Sequence, residues 1–260
     1  MSAPLDLNYK KYGETGSSII ILHGFLGSLD NWHTIASDWS SKGNTVYSVD
    51  QRNHGKSPHS TKHSIELMAS DLFHFIKVNQ IQKPIVIGHS MGGKVAMQLA
   101  LNHPLLLEKL IVIDIAPRAY NHGAHDDVFR AIFSVELNTI SNRKQAEEAM
   151  LPYLGDFGTR QFILKNLERT TNGFAWKFNI QTLHQEYDEA IKSIESVKHS
   201  DLPTMFIKGS QSLYIQEFDM LNIQELFPKA TLIEIANAGH WVHADQPKAL
   251  TNIVMKFISN

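Results

Sequence analysis

The sequence predicts an α/β domain built on a mostly parallel sheet with helices on both faces. Short β-rich runs alternate with longer helical patterns along its 260 residues, as in doubly wound folds. Several runs are apolar throughout, which suits strands covered on both faces. A glycine-rich turn also separates the apolar run 84–88 from the helical pattern 91–102.

The expected strands are 18–22, 45–49, 84–88, 110–115, 204–208 and 231–236, with an edge hairpin within 5–12. The expected helices are 31–41, 64–79, 91–102, 217–227 and 247–258. The rhythm breaks over 117–200, where no parallel strand is evident. Asp126 and Asp127 precede Val128, Phe129, Ile132 and Phe133 at helical spacing, and acidic residues suit a helix start. Thr159 is the expected cap of a helix carrying Phe162, Ile163 and Leu167. Residues 117–200 therefore read as a helical cap inserted in a core made of 1–116 and 201–260.

Hydrophobic residues are 43% and charged residues 19%, ample for a core and unlike a disordered chain. The net charge of −2, with no long Lys/Arg run, argues against nucleic acid as a partner. The absence of cysteine excludes disulfides, thiolate metal sites and a cysteine nucleophile. No secretory signal opens the sequence, and runs such as 19–22 and 110–113 are too short to span a bilayer. A cytoplasmic protein is expected, and no feature points to an oligomeric state.

Three motifs carry chemistry. Gly88-His89-Ser90-Met91-Gly92 follows an apolar strand and opens a helix. Small residues permit the tight turn that lifts a serine hydroxyl into a cleft, and the helix N-terminus favours negative charge. His23-Gly24-Phe25-Leu26-Gly27 follows the first apolar strand. The backbone N–H groups of Phe25 and Met91 are the expected donors to an oxyanion. His23 is expected to hold this loop by a hydrogen bond, and it is also a candidate for the substrate wall. Ala238-Gly239-His240-Trp241 follows the last strand, placing His240 as the base that takes the serine proton. Trp241, Phe129 and Phe133 are further substrate-wall candidates; the two phenylalanines, with Ile132 and Trp176, would otherwise hold the cap down. The pairs His240/His243 and His122/His125 lack a nearby carboxylate to complete a ligand set, so no metal is expected.

With H-G-F-L-G at 23–27, D-Q-R-N-H-G-K-S at 50–57, G-H-S-M-G-G at 88–93 and G-H-W-V-H at 239–243, the chain resembles the α/β-hydrolase superfamily over essentially its full length. With H-G-F-L-G-S-L-D-N-W at 23–32, D-Q-R-N-H-G-K-S-P at 50–58, G-H-S-M-G-G-K at 88–94 and I-D-I-A-P at 113–117, it is more closely similar to bacterial YbfF-type esterases, themselves related to mitochondrial α/β-hydrolase-domain proteins. The resemblance implies a mostly parallel eight-stranded sheet flanked by helices, with a helical cap. It also implies hydrolysis of carboxylic esters, extending to acyl-CoA thioesters, without a cofactor. Residues 50–57 read as a structural turn, with Arg52 and His54 near the cleft but outside the chemistry.

The acid departs from the commonest pattern. Where many members carry G-x-x-D, this chain has Gly209-Ser210-Gln211-Ser212. Ser212 cannot supply charge; it reads as an auxiliary partner or a surface loop residue. Asp50 ends a strand on the far side of 18–22 from Ser90. Asp114 ends the strand that a right-handed crossover places beside the nucleophile strand, and it faces the same carboxyl-edge cleft. Asp114 is therefore the expected acid, with Glu217 and Asp219 as competitors. Other readings are a carbon–carbon bond hydrolase, a cofactor-free peroxidase and a non-catalytic receptor on the same fold.

Overall fold

The computed structural model describes residues 3–259. The chain opens with β1 (Tyr9–Tyr12), β2 (Ser18–Leu22), α1 (His33–Ser41), β3 (Thr45–Val49) and α2 (Ile65–Val78). Then come β4 (Ile85–His89), α3 (Met91–Asn102) and β5 (Lys109–Ile113). The insertion carries α4 (Asp126–Phe133), α5 (Arg143–Met150), α6 (Phe157–Leu164), β6 (Leu167–Thr170), β7 (Gly173–Trp176), α7 (Ile180–Gln185) and α8 (Tyr187–Ile191). The chain closes with β8 (Thr204–Gly209), α9 (Asp219–Leu226), β9 (Ala230–Ile235), α10 (Val242–Asp245) and α11 (Pro247–Ser259).

The main sheet has strand order β1-β3-β2-β4-β5-β8-β9 and is parallel except where β1 pairs antiparallel with β3. Among the described residues it has seven strands, not the eight expected, and the N-terminal segment forms one strand rather than a hairpin. The residues before β1 are held by side chains instead of a ladder. Leu5 N–H donates to Asp71, and Asn8 N–H donates to Ser57 Oγ at 2.8 Å.

Period-two alternation divides each central strand between two buried faces. Ile20, Leu22, Val86 and Val112 face α2, α3 and α9, packing with Leu72, Val95 and Ile223. Ile19, Ile21, Ile87 and Ile111 face α1 and α11, packing with Trp39 and Val254. Covering both faces leaves the carboxyl ends of the strands as the open edge, where the loops of this fold gather.

The insertion has its own apolar cluster of Ile132, Met150, Ile163 and Leu183, closed against Leu26 of the loop after β2. Asn166 Nδ2 donates to Leu26 O at 2.9 Å, and Asn179 N–H donates to Asn53 O at 2.9 Å. Two expectations need correction. The cap of α6 is Asp156, whose carboxylate accepts from Thr159 N–H, so Thr159 is the receiver of that bond. Leu167 lies in a β6–β7 hairpin, not a helix, because the chain turns back at Thr171-Asn172 into Gly173, whose φ is +123°.

Beneath the sheet edge, Arg52 and Asp71 form a bidentate pair with distances of 2.6 and 2.7 Å, both 1% exposed. Removing one partner would strand a buried charge, at a cost of about 3–5 kcal/mol. Several histidines share this interior. Burial, then the Arg52 charge, pushes His63 down to about 3, and neither of its ring nitrogens has a hydrogen-bond partner among the described residues. Burial, then the neighbouring His240 ring, likewise brings His243 to about 3, where it stacks on Trp32. Burial also holds His54 and His89 well below the usual range.

An unfolded chain protonates such rings near pH 6.5. Between that value and the lowered folded ones, the unfolded state binds more protons. Stability is therefore full above about pH 6.5 and falls on acidification, by up to about 1.4 kcal/mol per ring per pH unit. Urea unfolding should show a lower midpoint at about pH 5.5 than at about pH 7.5. His63→Phe should flatten that slope, and an unchanged wild-type midpoint would contradict the neutral interior.

Candidate active site

The turn from β4 into α3 places Ser90 at φ +52° and ψ −122°, a conformation that costs a non-glycine residue roughly 1–3 kcal/mol. Its neighbours make the turn feasible. A Cβ on Gly88 would stand 2.2 Å from Gly92 O, and one on Gly92 would stand 2.6 Å from Leu22 O. Ser90 N–H donates to Ile113 O at 2.9 Å, tying the elbow to β5.

His240 Nε2 lies 3.0 Å from Ser90 Oγ, and its Nδ1 lies 2.7 Å from Asp114 Oδ2. With Nδ1 donating to the carboxylate, Nε2 is left to accept the serine proton. The Tyr214 ring stacks on His240 at 3.8 Å between centroids and 18° between planes. His89 Nε2 donates to His240 O at 2.8 Å. These contacts hold the imidazole from its face and its backbone.

Asp114 is fully buried at the end of β5. Oδ1 accepts from Gly209 N–H at 3.1 Å, and Oδ2 accepts from Ser212 Oγ as well as from His240. Ser212 thus touches the acid rather than the histidine, with which it shares Asp114 Oδ2. Of the competing acids, Asp219 Oδ1 is 3.0 Å from Arg118 Nε, and Glu217 is exposed.

The loop after β2 passes over Ser90 from the opposite side. Among the described residues, the backbone N–H groups of Phe25 and Met91 have no acceptor within the protein. His23 is 1% exposed and lies beneath the loop, outside the cleft wall; this corrects its candidacy for substrate contact. Its Nδ1 donates to Gly24 O at 2.8 Å, and its Nε2 accepts from Gln51 N–H at 3.0 Å. His54 Nε2 accepts from Leu26 N–H at 3.2 Å while its Nδ1 donates to Arg52 O, an arrangement that requires a neutral ring. Arg52 and His54 are both buried away from the cleft. The turn at 50–57 is therefore the underside of the Phe25 loop.

The cleft has two lobes that meet at Ser90. One, of about 400 Å³, runs past His240 and Trp241 to Leu154, Phe162 and Ile163. Trp241 stacks on Phe162 at 5.3 Å. The other, of about 460 Å³, runs past Met91 and Ile115 to Ile191 and Arg118. Phe25, His125 and Tyr214 border both. His125 Nδ1 bonds the Tyr187 hydroxyl, and burial, then the neighbouring His240 ring, brings it to about 4. The His122 side chain lies outside the described residues.

Phe129 and Phe133 are not in the cleft wall. On α4 it is Val128 that turns toward Ser90. Phe129, one residue on, points into the cap and packs against Phe25, His184 and Tyr187, and Phe133, one turn later on that side, is 43% exposed. Trp176 lies against Phe178. Tyr214, by contrast, borders the cleft without any local motif to mark it, and so do Phe162 and His125, which the sequence offers only as a helix residue and one of a histidine pair.

The alpha/beta hydrolase fold family matches residues 18–247. The chain belongs to the α/β-hydrolase family. It is 37% identical to esterase YbfF of Escherichia coli strain K12, over 94% of each chain. It is 36% identical to the sn-1-specific diacylglycerol lipase ABHD11 of Danio rerio, over 99% of this chain and 84% of that one. A solved structure of a marine microorganism esterase superposes with a TM-score of 0.94 at 40% identity, covering 97% of this chain and 99% of that one.

The shared contacts at Asp114 separate the two partners of that carboxylate. Asp114→Asn should lower ester turnover by about a thousandfold or more, since the imidazolium loses its counter-charge and its tautomer control. Ser212→Ala removes one hydrogen bond to a buried carboxylate and should cost at most about a hundredfold. Steady-state rates of the two variants check the ranking, and the reverse order would assign the orienting role to Ser212.

Proposed function

We propose that this chain is a serine esterase that hydrolyses carboxylic esters through an acyl-enzyme on Ser90. The single observation that carries the reading is the position of His240, between Ser90 Oγ at 3.0 Å and Asp114 Oδ2 at 2.7 Å, within an apolar cleft. The names of the relatives, esterases and a lipase, agree with ester chemistry.

His240 takes the proton as Ser90 Oγ adds to the ester carbonyl. The oxyanion is received by the Phe25 and Met91 N–H groups, which need no reorganisation because the loop is held from beneath. His240 then protonates the leaving oxygen, so the alcohol occupies the lobe beside His240 and Trp241. The acyl group extends along the other lobe, past Met91 and Ile115. Water enters from the vacated alcohol side and is deprotonated by His240, and the acid is released. A thioester follows the same path with sulfur as the leaving atom, so acyl-CoA belongs in the substrate panel. No step calls for a metal or a cofactor.

A fluorophosphonate probe should label the protein at Ser90. Ser90→Ala should abolish labelling and lower turnover of p-nitrophenyl esters by at least about a thousandfold. The melting temperature should hold or rise slightly, since alanine removes only a hydroxyl. Turnover retained by a purified Ser90→Ala protein would refute the acyl-enzyme. A panel of p-nitrophenyl esters and acyl-CoAs, read as kcat/KM, would then rank oxygen against sulfur leaving groups.

A further inference from the structure

The lobe assigned to the acyl group has apolar residues, among them Met91, Ile115 and Ile191, together with two cationic ones. Lys94 and Arg118 both line it, and among the described residues its wall contains no carboxylate. Lys94 is 1% exposed. Its donors go to backbone carbonyls, Arg118 O at 2.8 Å, Ile191 O at 3.2 Å and Lys192 O, so they are satisfied while the charge lacks a counter-ion.

Arg118 is different. Its guanidinium lies 4.2 Å over the Tyr120 ring, and Nη1 donates to Ala119 O at 3.2 Å. Nε is 3.0 Å from Asp219 Oδ1, but the angle is too poor for a hydrogen bond, and this buried N–H has no other acceptor. Nη2 has no partner among the described residues. A guanidinium is built for bidentate recognition of a carboxylate, and here its fork is incompletely used. Two cations thus face one carboxylate, that of Asp219 behind Arg118. Burial, then the Arg118 charge, pushes Lys94 down to about 7, and an anion held by Arg118 would relieve that repulsion.

We propose that the Arg118 end of this lobe receives a carboxylate at the tip of the acyl group, so that monoesters of dicarboxylic acids are a preferred substrate class. The inference rests on the esterase reading above. The terminal carboxylate meets Arg118 with Lys94 behind it, and the methylene chain lies against Met91, Ile115 and Ile191. Ser90 Oγ forms the acyl bond as the carbon–oxygen bond to the alcohol breaks, and the serine proton passes through His240 to that alcohol. Water then cleaves the acyl-enzyme, leaving a dicarboxylic acid and restoring Ser90.

The test compares matched esters by acid release in a pH-stat. Ethyl hydrogen succinate, adipate and suberate are paired with ethyl butanoate, hexanoate and octanoate. In at least one pair the wild-type kcat/KM should favour the carboxylate ester by at least about tenfold, the scale of a charge-assisted hydrogen bond. Arg118→Gln should bring that ratio close to unity, chiefly through KM, and Arg118→Lys should restore part of it. A ratio that Arg118→Gln leaves unchanged, with both esters slowed alike, would make Arg118 a structural brace and overturn the proposal. So would a wild-type preference for the neutral ester in every pair.

A second measurement needs no variant. The free diacids should inhibit ethyl hexanoate hydrolysis more strongly than the matching monoacids, and the opposite order overturns the proposal. Fluorophosphonate labelling of Ser90 separates the two levels. A labelled enzyme without carboxylate preference refutes only this inference, whereas an unlabelled and inactive one refutes the esterase reading beneath it.

Discussion

The Asp114 carboxylate joins three parts of the chain that are far apart in sequence. It leaves β5 fully buried, where an ionised group is tolerable only if its lone pairs are taken up. Its partners are Gly209 N–H at the end of β8, Ser212 in the loop that follows and His240 after β9. Three adjacent parallel strands are thereby fastened at their carboxyl ends. Asp114 adopts φ +54°, so the backbone bends to aim the carboxylate along the sheet edge. Imidazole position and loop geometry follow from that one buried charge. The same carboxylate that orders the β8 and β9 loops thus sets the face His240 presents to Ser90.

A second layer does for the loop after β2 what Asp114 does for the histidine. His23 and His54 each donate through Nδ1 to a carbonyl and accept through Nε2 from a backbone N–H. Gln51 Nε2 adds a bond to His23 O at 2.7 Å. Asp50 accepts from Leu29 and Lys56 N–H groups, and Gly55, at φ +58°, makes room for that carboxylate. A protonated His54 could no longer accept from Leu26 N–H, so the dry interior that keeps the ring neutral also keeps the loop in place.

Much of this was legible in the sequence, for identifiable reasons. The runs at 18–22 and 45–49 and the helix at 91–102 match the structure residue for residue. The first is an isoleucine-rich run between Gly16 and Gly24, and the second, Thr45-Val46-Tyr47-Ser48-Val49, is rich in β-branched residues and follows Gly43. Ser90 and His240 could be placed on facing loops because chain order and right-handed crossovers restrict where strand ends lie. Asp114 followed from the same rule once position 212 offered no charge. The cap was less transparent. Its hairpin carries the Asn172-Gly173 pair that marks tight turns, yet its strands have four residues each and lie beside helical patterns. The rotation of α4 that turns Val128 inward and Phe129 away depends on packing against Phe25 and Tyr187. Tyr214 and Arg118 come to the cleft through tertiary packing, which no local spacing encodes.

The insertion leaves the sheet after Asp114 and rejoins it before β8, and its two stems lie side by side. Tyr120 N–H donates to Ile191 O at 3.0 Å, and Ile194 N–H donates to Pro117 O at 2.7 Å, with Lys94 bonded to both stems. To the sheet, the whole cap is one loop whose ends already touch. Closing such a loop costs only slowly more as it lengthens. Evolution can therefore enlarge, trim or exchange what lies between the stems while the crossing itself persists. The sheet can be inherited on one schedule and the insertion above its edge on another.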